Sequence, residues 1–182
     1  MRIIGGTWRG RKLAELQGDQ TRPTSDRARE SLFNLLDNHL RRTGQEWNDI
    51  TFADVFAGTG AVGVEALSRG AKHVFFFENN MLATKCLKNN TKEISGLTIM
   101  GDALKPIKSK PIQIIFMDPP YAKGLWEQAL PAFHRAGWID DNTLVVIETD
   151  KSEKALTPQG FTELDRRSYG RNTFMFLRLN QD

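Results

Sequence analysis

Short apolar segments alternate with helical patterns through the middle of the chain, and this alternation limits the fold more than any other feature. The pattern predicts strands at 51–57, 73–78, 97–100, 112–118 and 143–149, and helices at 61–70, 80–94 and 124–137. Parallel strands need crossover connections of this kind, and near-continuous apolar strands are typical of a sheet covered on both faces. We therefore expect an α/β fold with three layers.

Both ends of the chain break the alternation. Two strand-like runs within residues 161–179 are separated only by a turn at 170–172, so they can pair only as an antiparallel hairpin. At the other end, residues 2–12 alternate apolar pieces with glycines and predict a small β-hairpin. Leucines at helical spacing then predict an amphipathic helix that begins near Ser25.

Length and composition bound the class of protein. The 182 residues, 40% hydrophobic and 26% charged, suffice for one globular core, so we expect a single domain over 1–182. Within it, residues 1–24 would form a basic hairpin and loop, and residues 25–182 the catalytic core. No apolar run is long enough to span a bilayer, and the amino terminus lacks the pattern of a signal peptide. The expected location is therefore cytoplasmic.

Positive charge is concentrated near the amino terminus. Residues 1–42 carry nine Lys or Arg and five Asp or Glu, whereas the whole chain has a formal net charge of +3. Such an asymmetry suggests a polyanionic partner, although solvated charge on an ordinary surface gives the same pattern. Arg9, Arg11 and Lys12 lie in the predicted hairpin.

The segment after the first predicted strand, "DVFAGTGAVG", is rich in glycine. Gly58, Gly60 and Gly63 let the backbone turn tightly and approach a ligand at a helix amino terminus. In an open parallel sheet, ligands lie beyond the carboxyl ends of the strands, near the point where strand order reverses. The binding chemistry is therefore expected at this loop.

Carboxylates accompany three successive predicted strands: Asp54 within the first, Glu78 at the end of the second and Asp102 after the third. Glu78 can accept both hydroxyls of a ribose, and Asp102 can meet the edge of an adenine. Asp54 suits a cationic ligand, as S-adenosylmethionine is at its sulfonium and ammonium groups. Each carboxylate could instead cap a loop or a helix, and for Asp102 alone this alternative is equally strong.

The glycine spacing also fits the dinucleotide fingerprint, so a nicotinamide enzyme is an alternative. Two observations disfavour it. Little chain remains to build a second region for a substrate, and Asp54 would lie near the pyrophosphate anions of a dinucleotide.

The fourth predicted strand ends in "FMDPPY". Pro119 and Pro120 have a fixed φ and no backbone donor, so they hold the Pro119 carbonyl and Tyr121 in a defined place. The Asp118 carboxylate and that carbonyl can accept both hydrogens of an exocyclic amine and favour its attack on a sulfonium methyl. Tyr121 can stack on the base. The alternative is that "DPPY" forms only a rigid turn after a strand, with no role in catalysis.

Cysteine chemistry is not expected. Enzymes that methylate a pyrimidine carbon use a cysteine nucleophile at the place of "DPPY", and the single cysteine, Cys86, lies on a predicted helix elsewhere. One cysteine also excludes an intramolecular disulfide and disfavours a thiolate metal site, so no metal is predicted.

These motifs resemble the class I S-adenosylmethionine-dependent methyltransferases and, more narrowly, the RsmD family. The resemblance rests on "RIIGGTWRGRKL", "TRPTSDRARESLFNLL", "DVFAGTGAVGVEALSRGA", "FFE" and "FMDPPY", in this order. It implies a Rossmann-like fold with a seven-stranded, mostly parallel sheet whose last strand is antiparallel. It also implies methylation of the N2 amine of one guanine in 16S ribosomal RNA, within an assembled or assembling small subunit.

The resemblance completes the set of candidate site residues. The predicted cofactor-binding residues are Asp54, Phe56, Gly58, Thr59, Gly60, Glu78 and Asp102, and the catalytic ones are Asp118, Pro119, Pro120 and Tyr121. The predicted RNA-binding residues are Arg9, Arg11, Lys12 and Arg22, of which Arg22 could instead contact the cofactor carboxylate or pair with a nearby acid. A monomer is expected. Two alternatives stay open: an adenine-N6 DNA or RNA methyltransferase, and a non-catalytic RNA-binding factor in ribosome assembly.

Overall fold

Seven strands form one mixed sheet within residues 1–16, 26–120, 124–153 and 155–181, which are the residues that this computed structural model describes. The strands are β1 (Thr51–Val55), β2 (His73–Phe77), β3 (Leu97–Met100), β4 (Ile114–Met117), β5 (Leu144–Asp150), β6 (Phe161–Tyr169) and β7 (Asn172–Leu179). The helices are α1 (Asp26–Thr43), α2 (Ala61–Arg69), α3 (Met81–Thr91) and α4 (Leu125–Arg135), with a 3₁₀ turn at Trp47–Asp49.

The sheet order is β3-β2-β1-β4-β5-β7-β6, so strand order reverses between β1 and β4. Strands β1 to β5 are parallel, and β7 is antiparallel to both β5 and β6. The predicted Rossmann-like sheet with an antiparallel last strand is therefore confirmed, as is the hairpin at the carboxyl-terminal end. The predicted helices are confirmed too, although α3 ends at Thr91 and not at residue 94.

Both faces of the sheet are covered because successive strand residues point to opposite sides. Phe52 and Phe116 pack with α1, α2 and Leu87 of α3, whereas Val55 and Met117 pack with α4 on the other face. Helix α4 continues through Pro131, as the sequence predicted. Full burial of each large apolar side chain stabilises the fold by about 1.5 to 3 kcal/mol.

The predicted amino-terminal hairpin is present in a short form. Arg2 and Lys12 form an antiparallel bridge, the Ile3 N–H donates to the Arg11 carbonyl at 2.9 Å, and the Leu13 N–H donates to the Met1 carbonyl at 3.1 Å. Beyond Ile3 the first arm turns its backbone donors to α2. The N–H groups of Ile4 and Gly5 each donate to the Glu65 carboxylate at 2.7 Å. We call residues 1–16 the amino-terminal strap.

The strap is anchored to buried charges. Glu65 is fully buried, and it pairs with Arg69 at 3.0 Å and with the fully buried Arg29 at 4.0 Å. Arg29 also donates to the Arg2 carbonyl and, at 3.0 Å, to Asp26. The strap is thus held on α1 and α2. The predicted division of the chain at residues 24 and 25 lies outside the described residues and stays a prediction.

Candidate functional site

Three of the predicted site residues meet at one edge of the sheet. Asp54 is the penultimate residue of β1, Glu78 follows β2, and Asp118 follows β4. Strand β1 lies between the other two, with Val55 in register with Phe77 and with Met117, and the Asp118 N–H donates to the Val55 carbonyl at 3.2 Å. The edge is also where strand order reverses, which is the position expected for a ligand in such a sheet.

The glycine loop leaves this edge in an unusual backbone conformation. Phe56, Gly58 and Gly60 have φ values of 66°, 56° and 81°, in the left-handed region. That region costs an aromatic residue free energy, and a non-glycine residue there often marks a functional site. A Cβ at Gly60 would lie 2.3 Å from Leu87 Cδ1, so the loop is packed tightly against α3.

Glu78 fixes the same loop from the second strand. Its Oε2 accepts from the Gly58 N–H at 2.8 Å, and its Oε1 accepts from the Asn80 N–H at 2.7 Å. Each carboxylate oxygen can accept a second hydrogen bond. The carboxylate is therefore held in a position from which it can still bind the hydroxyls of a ribose.

Asp54 lies beneath the loop and is 2% exposed. Burial raises its pKa to about 8; the Gly63 N–H, which donates to it at 2.8 Å, opposes this shift, and the charges of Asp118 and Glu78 add to it. A cluster of carboxylates whose charges oppose one another fits a cationic ligand, because a nearby positive charge favours the ionised forms. The residues present therefore fit the sulfonium and ammonium groups of S-adenosylmethionine.

The predicted catalytic segment is described as far as Pro120. Asp118 is half-buried, Pro119 is buried and Pro120 is exposed, so the chain leaves the sheet edge toward solvent. The next described residue is Gly124, the amino-terminal cap of α4. Tyr121 lies outside the described residues, and its stacking role stays a prediction.

The structure describes the contacts of Asp102 and Thr59, but these contacts do not test whether either residue binds the cofactor. Asp102 Oδ1 accepts from the Leu104 N–H at 2.9 Å, which is the loop-capping contact that the alternative interpretation expected. The Thr59 carbonyl accepts from the Asn90 side chain at 2.9 Å. Both residues stay predicted cofactor contacts.

The basic candidates lie on the strap. Arg9 and Lys12 are exposed, and Arg11 is half-buried, with its Nη2 3.5 Å from the Asn90 carbonyl. Arg22 lies outside the described residues. The sequence analysis did not single out two polar residues that anchor the strap, Glu65 and Asn90. For Glu65 a signal existed, since it is a charged residue inside the apolar run "AVGVEAL".

Cysteine and metal chemistry find no support in the described residues. Cys86 Sγ donates to the Ala14 carbonyl at 3.3 Å, and burial raises the pKa of the thiol, so it is not an activated nucleophile. The described part of the chain contains no group of three or more His, Cys, Asp or Glu side chains that could hold a metal ion. None of the described helices combines the length and apolar character needed to span a bilayer.

A cavity of about 470 Å³ lies elsewhere, between α4 and the segment that leads into β6. Its lining residues are Trp126, Glu127, Leu130, Pro131, His134, Leu156, Thr157, Pro158, Gln159 and Phe161. None of them is a predicted site residue. We assign the candidate site to the place where three carboxylates and the glycine loop converge, and not to this cavity.

Comparison with known proteins agrees with this geometry. The family described as conserved hypothetical protein 95 matches residues 1–178. Ribosomal RNA small subunit methyltransferase D of Haemophilus influenzae is 35% identical to the chain over 181 residues, covering 93% of the chain and 89% of the relative. The protein of the same name from Escherichia coli K12 is 36% identical over 155 residues, covering 82% and 75%.

Solved structures give the same result. A structure from Escherichia coli described as a candidate methyltransferase superposes with a TM-score of 0.82 at 30% identity, covering 100% of this chain and 99% of that one. A candidate methylase from Haemophilus influenzae gives a TM-score of 0.77 at 31% identity, with coverage of 99% and 98%.

The sheet order, the glycine loop and these neighbours define a class I methyltransferase fold, with S-adenosylmethionine as the methyl donor. The nicotinamide alternative is therefore excluded. The chain belongs to the family of conserved hypothetical protein 95, the RsmD family that its sequence motifs resemble.

Proposed function

We propose that this protein methylates the exocyclic N2 amine of a guanine in the 16S ribosomal RNA of the small subunit. The names of the two relatives supply the substrate class, since both are ribosomal RNA small subunit methyltransferases. The substrate would be the small subunit or an assembly intermediate of it. The expectations of a cytoplasmic and monomeric enzyme belong to the same proposal.

The observation that carries the proposal is the position of Asp118. Its carboxylate stands at the end of β4, beside the end of β1, and close enough to Asp54 to raise the pKa of that residue. A base that is bound against Asp118 would therefore face the cofactor side of the same edge. Pro119 and Pro120 have fixed φ angles and hold the acceptor group in place without an ordering cost at each turnover.

Asp118 and the Pro119 carbonyl can accept the two hydrogens of an amine. Accepting both hydrogen bonds draws the nitrogen lone pair out of the ring and stabilises the positive charge that develops during attack. The amine nitrogen gains a methyl group and loses one proton, which Asp118 or water can accept. Tyr121 is proposed to stack on the base.

A carboxylate at residue 118 favours guanine over adenine. An ionised carboxylate only accepts hydrogen bonds, whereas an amide both donates and accepts. The Watson–Crick edge of guanine presents the N2 amine beside an N1–H donor, so one carboxylate can accept from both. In adenine the amine lies beside an N1 acceptor, which would repel the carboxylate.

Glu78, the loop from Phe56 to Gly60 and Asp54 would hold S-adenosylmethionine, with Asp102 at the adenine. When bound, this cofactor supplies an electrophilic methyl group on a sulfonium. Glu78 would bind the ribose hydroxyls, and the ionised form of Asp54 would offset the positive charge of the ligand. The glycine loop lets the backbone approach the ligand closely.

The strap supplies the contacts to RNA phosphates. Arg9 and Lys12 are exposed and Arg11 lies beside them, so all three are placed on a surface that α2 holds rigidly. Phosphate contacts of this kind orient a protein on RNA without reading its sequence. Arg22 is proposed to join them.

The test is Asp118→Ala, assayed with labelled S-adenosylmethionine and unmodified small subunits. We expect turnover to fall by a factor of at least about 100, because one preorganised acceptor is lost, while cofactor affinity stays within about twofold. Asp141→Ala is the matched control, since Asp141 precedes β5 at the opposite edge of the sheet. A near wild-type rate for Asp118→Ala would contradict the proposed role.

Mass spectrometry of the labelled nucleoside separates the alternatives. We expect N2-methylguanosine; N6-methyladenosine would establish the adenine-N6 alternative. Calorimetry decides whether the protein is a catalyst, because a non-catalytic assembly factor with a vestigial site would bind small subunits and show no heat of binding for S-adenosylmethionine.

A further inference from the structure

Asn90 is a buried side chain that joins two separate parts of the molecule. It lies in the last turn of α3 and is 4% exposed. Its Nδ2 donates to the Thr59 carbonyl in the glycine loop at 2.9 Å and to the Ala14 carbonyl in the strap at 3.1 Å. Its Oδ1 accepts from the Ala14 N–H at 2.8 Å.

These bonds satisfy nearly all of the hydrogen-bonding capacity of the amide, which has two donor hydrogens and an acceptor oxygen. Burying a polar side chain costs free energy unless its hydrogen-bond partners are in place. Asn90 therefore depends on both the strap and the loop. If Ala14 moves away, the Asn90 amide loses the contacts that orient its Nδ2 toward the Thr59 carbonyl.

Each residue from Ala57 to Thr59 is held by a different part of the molecule, and Asn90 supplies the contact at Thr59. Ala57 is bound by β2 through the Phe77 carbonyl at 3.0 Å, and Gly58 by Glu78. Thr59 is held by α3 through Asn90. The left-handed conformations at residues 56, 58 and 60 are disfavoured for most residues, so the loop needs such external contacts to keep its shape.

The strap is rigid where it meets α2 as well. Besides the Glu65 contacts, the Trp8 N–H donates to Ser68 Oγ at 2.9 Å, and a Cβ at Gly6 would lie 1.8 Å from the Ser68 carbonyl oxygen. The strap is therefore anchored on α2 ahead of the segment that carries Arg9, Arg11, Lys12 and Ala14.

We propose that Asn90 is a positioning residue that couples the strap to the glycine loop, so that the position of the strap sets the affinity of the loop for S-adenosylmethionine. The strap touches the loop through this amide and carries Arg9, Arg11 and Lys12. Provided that the proposed function is right, RNA bound to the strap stabilises the loop, and cofactor and RNA strengthen each other's binding by the same factor.

The first test measures binding of S-adenosylhomocysteine by calorimetry in the full chain. Asn90→Ala removes all three bonds, and we expect the affinity to fall about five- to tenfold, the usual effect of one or two lost hydrogen bonds. Ala14→Pro removes the N–H that donates to Asn90 Oδ1 and restricts the strap backbone at residues 13 and 14, while it substitutes no residue of the loop or of α3; we expect a fall of about two- to fivefold. Asn89→Ala, at an exposed position on the same helix, is the control and should be neutral.

Ala14→Pro decides the question if Asn90→Ala fails to fold. A purely structural role for Asn90 would leave cofactor affinity unchanged when only the strap is altered. Hydrogen exchange adds a second measurement: Ala14→Pro should speed exchange of the Gly60 amide, which donates within the loop to the Ala57 carbonyl at 2.7 Å. If Ala14→Pro matches Asn89→Ala in both measurements, the coupling is refuted.

A separate experiment tests whether bound RNA raises the affinity for the cofactor. With saturating unmodified small subunits, we expect the wild type to bind S-adenosylhomocysteine at least about twofold more tightly, and Asn90→Ala to lose this gain. Subunits that bind without changing cofactor affinity would overturn the RNA step. Failure of the subunits to bind would instead count against the proposed function, while the calorimetry without RNA still decides the role of Asn90.

Discussion

Cofactor affinity should depend on pH through the buried Asp54. Its pKa of about 8 means that ligand-free protein holds this carboxyl mainly in the neutral form at pH 7. A cationic cofactor beside it favours the ionised form, so binding releases a proton. The geometry behind this expectation is the burial of Asp54 under the glycine loop, next to Asp118 and Glu78.

The magnitude follows from the ionised fraction. With a pKa near 8, about one tenth of the molecules carry ionised Asp54 at pH 7 and about one hundredth at pH 6. If the bound complex requires the ionised form, affinity rises about ninefold from pH 6 to 7 and about fivefold from pH 7 to 8, and it levels off above; the first step is about 1.3 kcal/mol. Proton release should approach one per bound cofactor at pH 7.

The assay is calorimetry at several pH values, in buffers with different heats of ionisation. Asp54→Asn keeps an acceptor for the Gly63 N–H and cannot ionise, so its affinity should be weaker at pH 8 and nearly independent of pH. Titration of the ligand's own amine contributes equally to both proteins, so their difference isolates Asp54. S-adenosylhomocysteine, which lacks the sulfonium charge, should show a smaller slope than S-adenosylmethionine.

Asp54 also makes folding stability depend on pH, but stability falls as pH rises, whereas cofactor affinity increases. A carboxyl whose pKa is raised from 3.8 to about 8 on folding contributes stability that is fully present below the lower value and is lost as pH rises through the higher one. The thermal unfolding temperature of the ligand-free protein should therefore fall from pH 6 to 8, and it should fall less in Asp54→Asn. A wild-type cofactor affinity that changes less than about twofold over this range, as in Asp54→Asn, would refute the reasoning.

Two further predictions concern stability and are measured by urea unfolding. Gly63→Ala would place a Cβ 2.2 Å from Phe76 Cε1, and we expect a loss of about 1 to 3 kcal/mol from overpacking; Gly101→Ala, with open space around it, should lose little, and equal losses would contradict the packing argument. Glu65→Ala removes the buried carboxylate that pairs with Arg69 and accepts from two strap N–H groups, and it leaves the buried Arg29 with the exposed Asp26 as its remaining carboxylate contact. We therefore expect a loss of about 3 to 5 kcal/mol and faster exchange of the strap amides. A loss below about 1 kcal/mol would show that Glu65 does not anchor the strap.

Sheet and helix positions could be predicted because burial on both faces leaves a strong local signal. The strand residues 114–117 are all buried, and an apolar run between turn residues reports that condition directly. The position of the site followed from topology, because the carboxyl ends of β1, β2 and β4 meet wherever strand order reverses. Asp54, Glu78 and Asp118 could therefore be grouped from the sequence alone.

The anchoring of the strap and the contacts of Asn90 could not be predicted in this way. Local alternation predicted the short hairpin within the strap, but the Ile4 and Gly5 N–H groups donate to Glu65, about sixty residues further along the chain, and no local pattern reports that contact. Asn90 stands in the polar run "KNNTKE", where burial of one amide leaves no periodic signal. Its partners are backbone groups, which a sequence does not distinguish from any others.

The most direct test of the central claim is to incubate the protein with labelled S-adenosylmethionine and small ribosomal subunits that lack their methyl groups, and then to map the label. The account predicts one methyl group on the N2 amine of a single guanine in 16S ribosomal RNA, added at least about 100 times more slowly by Asp118→Ala. Label on an adenine, on a ribosomal protein or on no component of the subunit would contradict it.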